Sequence, residues 1–147
     1  MKQNISASGI IVFRNKNNHP EILGLVALPK HRKRSKGKYD VPKGRIDEGE
    51  TPIQAARREC YEESGLEPKI ININNPVIKG PLCLWLGEVS PDDDVVLAEN
   101  PYSGECEHEG YEWLTIKKMK SKCLNYIRPF INEVEKDIWE HFKIWRK

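Results

Sequence analysis

The sequence predicts an α+β fold with helices on both faces of a mixed sheet, and three observations carry that expectation. Two apolar, β-branched stretches open the chain, a helix with complete end signals sits in its middle, and further strands lead to an amphipathic terminal helix. With 147 residues, 38% of them hydrophobic and no internal repeat, residues 1–147 form one domain with enough apolar side chains for a core.

Ile5 to Phe13 and Glu21 to Leu28 are expected strands, and the Asn and Pro content of Arg14 to Pro20 makes the connection a turn. Lys30 to Lys38 contains Gly37 and nothing apolar, so a solvated loop is expected there, leading into a short strand from Tyr39 to Val41. Thr51 then supplies an N-cap, Pro52 the first helical position, Gln54 the third residue of a capping box and Gly65 the stop, which together predict a helix. Pro68 to Ile73, Val77 to Lys79, Leu82 to Val89 and Tyr111 to Leu114 follow as strands, and Thr115 can cap a short helix through Met119. Ile127, Ile131, Val134, Ile138, Phe142 and Trp145 recur at three and four residues, so the terminal segment is an amphipathic helix with Pro129 near its start. In these patterns Trp85, Trp113, Trp139 and Trp145 belong to the core, and Asp92 to Asp94 after Pro91 form a solvated turn.

Composition excludes several classes. The longest apolar run, Gly9 to Phe13, falls far short of the ~20 residues that span a bilayer, and no cleavable signal follows Met1, so a cytoplasmic protein without membrane attachment is expected. Cys60, Cys83, Cys106 and Cys123 show no C-x-x-C pair and are expected to be free thiols; Cys106 and His108 alone make no transition-metal site. Net charge is only +2 and names no partner, and no obligate protein partner is evident. Its distribution says more. Basic residues crowd Lys30 to Lys38, whereas Asp92 to Glu112 is rich in acids.

The chemistry concentrates in Gly44 to Glu50 and in Arg58 to Leu66. At 100° per residue, Glu59, Glu62 and Glu63 fall within an arc of roughly 100° on one helix face. Carboxylates so spaced repel one another, and a hard divalent cation resolves the conflict; oxygen ligands alone suit Mg²⁺ or Mn²⁺. A solvated acidic face is the plain alternative. Gly44, directly after a strand, permits close backbone approach and offers a carbonyl oxygen to the same cation. The planar fork of Arg58 can clamp Glu50 and hold the loop to the helix.

These residues resemble the Nudix box, G-x5-E-x7-R-E-U-x-E-E-x-G-U with U apolar. Gly44, Glu50, Arg58, Glu59, Glu62, Glu63 and Gly65 match its fixed positions, with Cys60 and Leu66 at the apolar ones. Outside the box, Tyr39 to Gly44, Leu84 to Val89 and Glu107 to Leu114 resemble segments of the diadenosine polyphosphate hydrolases of that family, while the basic run looks longer than usual. The resemblance implies a Nudix-type α/β/α sandwich, a single Nudix hydrolase domain, and Mg²⁺-dependent cleavage of a phosphoanhydride in a nucleotide polyphosphate, diadenosine tetraphosphate to ATP and AMP. It places metal on Gly44, Glu59, Glu62 and Glu63, with Mn²⁺ able to substitute, makes Glu59 and Glu107 the candidates for the base that deprotonates water, and gives Arg58 the orienting role. Lys43 and Lys79 are candidate phosphate contacts, and Tyr39 and Tyr111 are candidates for stacking on a base, with core packing the alternative for each tyrosine. Lys30 to Lys38 can be a solvated loop, a clamp for distal phosphates or an RNA contact. The competing functions are removal of pyrophosphate from RNA 5′ ends or from nucleoside triphosphates, and nucleotide sensing without turnover.

Overall fold

The computed structural model describes residues 4–98 and 107–145, without the side chains at 34 and 143–145. The readings for Cys106 and for the Trp145 ring lie outside these residues.

Strands β1 (Ala7–Lys16) and β2 (His19–Ala27) form a hairpin whose loop is only Asn17 and Asn18. Both hold positive φ, 51° and 65°, which asparagine tolerates and which matches the twist of paired strands. The expected seven-residue turn therefore shrinks to two, and both strands extend toward it. Pro29 starts a helix, α1 (Pro29–Arg34), inside the basic run that was expected to be loop throughout. Proline at the first helical position is the local cause, and Arg32 fastens the turn by donating to the Ala27 carbonyl at 2.8 Å.

Strands β3 (Tyr39–Asp40) and β4 (Lys43–Arg45) precede α2 (Pro52–Ser64), whose capping box and left-handed Gly65 cap, φ 74°, agree with the sequence. β4 was not expected; it is three residues long and exists because it pairs with the start of β1. Then come β5 (Lys69–Ile70), β6 (Val77–Lys79), β7 (Leu82–Glu88), β8 (His108–Thr115), α3 (Ile116–Lys122) and α4 (Arg128–Trp145). β8 runs longer than Tyr111 to Leu114 because it pairs along most of β2.

All eight strands of the described residues join one mixed sheet, with β1 parallel to β7 and antiparallel to β2 and β4. Alternation along β1 feeds two cores. Ile11 and Phe13 pack with α3 and α4, while Ile10 and Val12 pack against Ala56 and Cys60 of α2. The result is the expected α/β/α sandwich.

Trp85 is buried and donates its indole N–H to the Ile73 carbonyl at 3.0 Å. Trp113 is half-buried beneath the Arg14 guanidinium, 4.2 Å from its ring centre. Trp139 is instead 41% exposed, a correction to its core reading: it follows Ile138 by one residue, which turns it about 100° off the buried stripe. Cys60, Cys83 and Cys123 are buried free thiols, and Asp92 to Asp94 lie in an exposed turn. No helix among the described residues is long and apolar enough to cross a membrane.

Candidate active site

Arg58 organises the loop between β4 and α2. Its guanidinium grips both oxygens of Glu50, Nε to Oε2 at 2.7 Å and Nη2 to Oε1 at 2.9 Å, and donates to the Arg45 carbonyl at 3.0 Å. Asp47 adds an ion pair at 3.3 Å, and its backbone N–H donates to Glu50 at 2.8 Å. This fork-on-fork pairing holds Glu50 down to about pH 2 in its pKa and raises that of Arg58. The clamp inferred from the sequence is present, and it reaches further: Nη1 also touches Glu59 at 2.8 Å and Glu62 at 3.2 Å.

On the adjoining face of α2, Glu63 is buried and Glu59 nearly so. Burial pushes the Glu59 carboxyl up despite Arg58. Glu63 is pushed well above the carboxylate range by burial first and then by the Glu59 charge; only the Lys43 backbone N–H, donating at 3.1 Å, pulls the other way. Gly44 lies against this pair so closely that a Cβ there would fall on the Glu59 carboxylate, which is why the position has no side chain. Glu62 is half exposed and faces Arg58. Among the described residues no three Asp, Glu, His or Cys side chains converge tightly enough to hold a cation as they stand, and Arg58 is one reason, since it occupies an oxygen of Glu59 and one of Glu62. The donor set nonetheless fits a hard cation: oxygens only, a buried Glu63 and a largely buried Glu59 whose charges bear on each other, and a backbone made bare at Gly44.

Across from α2, Asp40, Lys43, Glu63, Glu107, His108, His31, Ser35, Leu124 and Tyr126 line a cleft of about 390 Å³. Lys43 reaches Asp40 at 3.0 Å and lies 5.3 Å from the Tyr126 ring centre. Burial disfavours its charge, but Asp40 and Tyr126 outweigh that and raise its pKa. Burial also lowers the pKa of His108. Glu107 lines the cleft and its charge bears on both Glu59 and Glu63. A second, largely apolar cleft of about 580 Å³ shares Lys43 and Tyr126 and is walled by Leu82, Pro81, Pro129 and Phe130.

Not every sequence candidate reaches these clefts. Tyr39 is 2% exposed and packs in the α3–α4 core, so the packing alternative holds for it in place of base stacking. Tyr111 is 42% exposed but pairs with Leu25, whose side chain faces α2, and it lines neither cleft. Lys79 borders the apolar cleft while its ammonium pairs with Glu133 of α4 at 3.1 Å. Among the described side chains of the basic run, only His31 and Ser35 line the polar cleft. The sequence reading missed Asp40 and Tyr126. Asp40 precedes Lys43 by three residues, a visible ion-pair spacing; Tyr126 sits in the α3–α4 connection, where no periodicity marks it.

A family model described as NUDIX domain matches residues 3–133. An RNA pyrophosphohydrolase of Bartonella clarridgeiae is 25% identical over 128 residues, 71% of this chain and 72% of that protein. A bis(5′-nucleosyl)-tetraphosphatase (asymmetrical) of Caenorhabditis elegans is 27% identical over 124 residues, 77% of this chain and 80% of that protein. The crystal structure of a C. elegans Ap4A hydrolase binary complex superposes on the fold with a TM-score of 0.72 at 22% identity, covering 92% of this chain and 98% of that one.

Proposed function

The chain belongs to the NUDIX family of pyrophosphohydrolases, and from that premise we propose that its substrate is a dinucleoside polyphosphate, diadenosine tetraphosphate, cleaved asymmetrically to ATP and AMP. One observation carries the choice: a polar cleft and an apolar cleft meet at Lys43 and Tyr126, a pairing suited to a ligand with a polyphosphate chain and a flat base. The similarity to a C. elegans asymmetrical tetraphosphatase supports the same reading.

In this proposal Glu59, Glu63, the Gly44 carbonyl and, on the exposed side, Glu62 hold a divalent cation, Mg²⁺ or Mn²⁺. When bound, such a cation neutralises phosphate oxygens and lowers the pKa of the attacking water. Nudix enzymes generally use a divalent metal; the choice of Mg²⁺ is ours. Arg58 keeps the loop on α2 and fixes one oxygen of Glu59, leaving the other free to ligate or to take a proton. Glu107 is the second proton acceptor in reach of the cleft. Lys43, held charged by Asp40, contacts the phosphate chain, and the exposed Tyr126, with Pro129 beside it in the apolar cleft, receives one base. A base fixed at one end sets the register of the phosphates, so water meets one end of the chain and the two products differ.

Hydrolysis in ¹⁸O-labelled water, with products separated and weighed, tests this. One ATP and one AMP are expected. Two ADP molecules would overturn the register, and a much higher kcat/KM for triphosphorylated RNA would overturn the substrate.

A further inference from the structure

The small net charge conceals a strong segregation. Residues 29–38 and 116–128 hold 11 of the 24 Lys and Arg and no Asp or Glu, leaving 13 cations against all 22 acids elsewhere. The fold joins these two segments edge to edge. The Lys38 N–H donates to the Lys122 carbonyl at 2.8 Å, Asn125 to the Lys36 carbonyl at 3.0 Å and Leu124 to the Tyr39 carbonyl at 2.8 Å. Gly37, at φ +126°, presses against the Cys123 carbonyl where a side chain would collide.

The seam gathers exposed lysines that are distant in sequence: Lys30, Lys33, Lys36 and Lys38 from one segment, Lys117, Lys118 and Lys122 from the other. None of these forms an ion pair among the described residues, whereas Arg32 pairs with Glu109 and Lys120 with Glu135. At one end the strip opens into a groove of about 520 Å³ between α3 and α4, lined by Lys117, Lys120, Ser121, Arg128 and Glu135. At the other it borders the polar cleft through His31, Ser35 and Tyr126.

We propose that this lysine strip binds the sugar–phosphate chain of single-stranded RNA, without regard to sequence, beside the active cleft. Lysine ammonium groups act as point charges that accept phosphates in many orientations, which suits a flexible polyanion. Among the described residues the large exposed apolar side chains are Tyr61, Ile73, Val96, Tyr111, Tyr126 and Trp139, of which Tyr126 alone belongs to these two segments, too little apolar surface to insert into a lipid bilayer. Its one exposed aromatic, Tyr126, gives a base a stacking face that inorganic polyphosphate would not use. The strip goes beyond the substrate reading above and stands whether or not RNA is cleaved.

The test is equilibrium binding of the full chain to a fluorescein-labelled RNA of about 20 nucleotides bearing a 5′-hydroxyl, which has no anhydride to hydrolyse. Lys117→Gln/Lys118→Gln/Lys122→Gln is expected to weaken binding at least ~10-fold and to reduce the slope of log Kd against log salt by about 2, while Tm and diadenosine tetraphosphate turnover stay at wild-type values. Unchanged RNA affinity in the variant would overturn the strip. Equal displacement of the RNA by inorganic polyphosphate at matched charge would overturn RNA as its partner. Failure of the diadenosine assay bears only on the substrate, because binding of this RNA is read without turnover.

Discussion

Glu50 and Glu63 belong to the same loop and helix, yet their surroundings drive them apart. Glu50 receives two charged hydrogen bonds from Arg58 and one from the Asp47 backbone, and its carboxyl is held down to about 2. Glu63 receives one backbone N–H, faces Glu59 and is buried, so its carboxyl is pushed well up. A carboxylate whose neighbours already stabilise its charge is holding the fold together. One whose charge is opposed by burial and by a like neighbour is kept in that state at a cost in stability, and an added cation would relieve it. Arg58 marks the boundary between the two, since it touches Glu50 fully and Glu59 with one nitrogen.

The sharpest way to break this contrast is Glu63→Gln. Turnover should fall at least ~10²-fold while the fold survives. Because folding raises the Glu63 pKa above 4.5, the stability linked to it is present at low pH and is lost as pH rises through the folded value. In chelator, wild-type Tm should therefore fall with rising pH where the glutamine variant stays flat and higher. Near-normal turnover at saturating Mg²⁺ would remove Glu63 from the metal site.

Arg58→Ala attacks the other side. Glu50, Glu59 and Glu62 all lose their shared partner, so Tm, by roughly 2–4 °C for each kcal/mol lost, and turnover should decline together. An unchanged Tm with only KM raised would make Arg58 a substrate contact. Acid titration comes next. Folding lowers the Glu50 pKa from 4.5 to about 2, so its contribution is present above 4.5 and is lost as pH falls toward 2. Melting curves of Glu50→Gln should lack that acid-side decline, a slope opposite in sign to the one assigned to Glu63. The smallest effect is expected from Glu62→Gln, whose half-exposed carboxylate already rests on Arg58: kcat should drop less than ~10-fold with Tm nearly constant. A loss as large as that of Glu63→Gln would put Glu62 among the principal ligands.

The loop and helix were legible because their determinants are local. Caps, the 100° step and the Gly44–Glu50–Arg58 spacing all act within a few turns of one helix. The cleft opposite was not, because its wall is assembled from β3, the residues before β8 and the α3–α4 connection, and no sequence period links Asp40, His108 and Tyr126. Tyr39 and Tyr111 could not be told apart for a related reason: a two-residue strand such as β3 has too little alternation to say which face is buried. Trp139 was readable and was misassigned, since a helical wheel places it beside the buried stripe. The lysines of α3 escaped notice because Ile116, Met119 and Cys123 interrupt them at core spacing, so they do not read as a run.

The parallel pairing of β1 with β7 carries a consequence for synthesis on the ribosome. Phe13 meets Glu88, 75 positions later, and at roughly 5–20 residues per second that partner emerges about 4–15 s afterwards. The hairpin with β2 covers only Phe13 to Lys16 in the meantime. β4, at 43–45, adds pairing at Ala7 to Gly9 before β7 is made, and the Ile10 N–H donates to the Pro42 carbonyl. The edge of β1 that carries Ile10, Ile11 and Val12, all fully buried in the finished protein, toward β7 still stays open until β7 emerges. A nascent chain stalled before residue 82 therefore displays this apolar edge, and it is the segment a chaperone, or a second nascent chain, meets first.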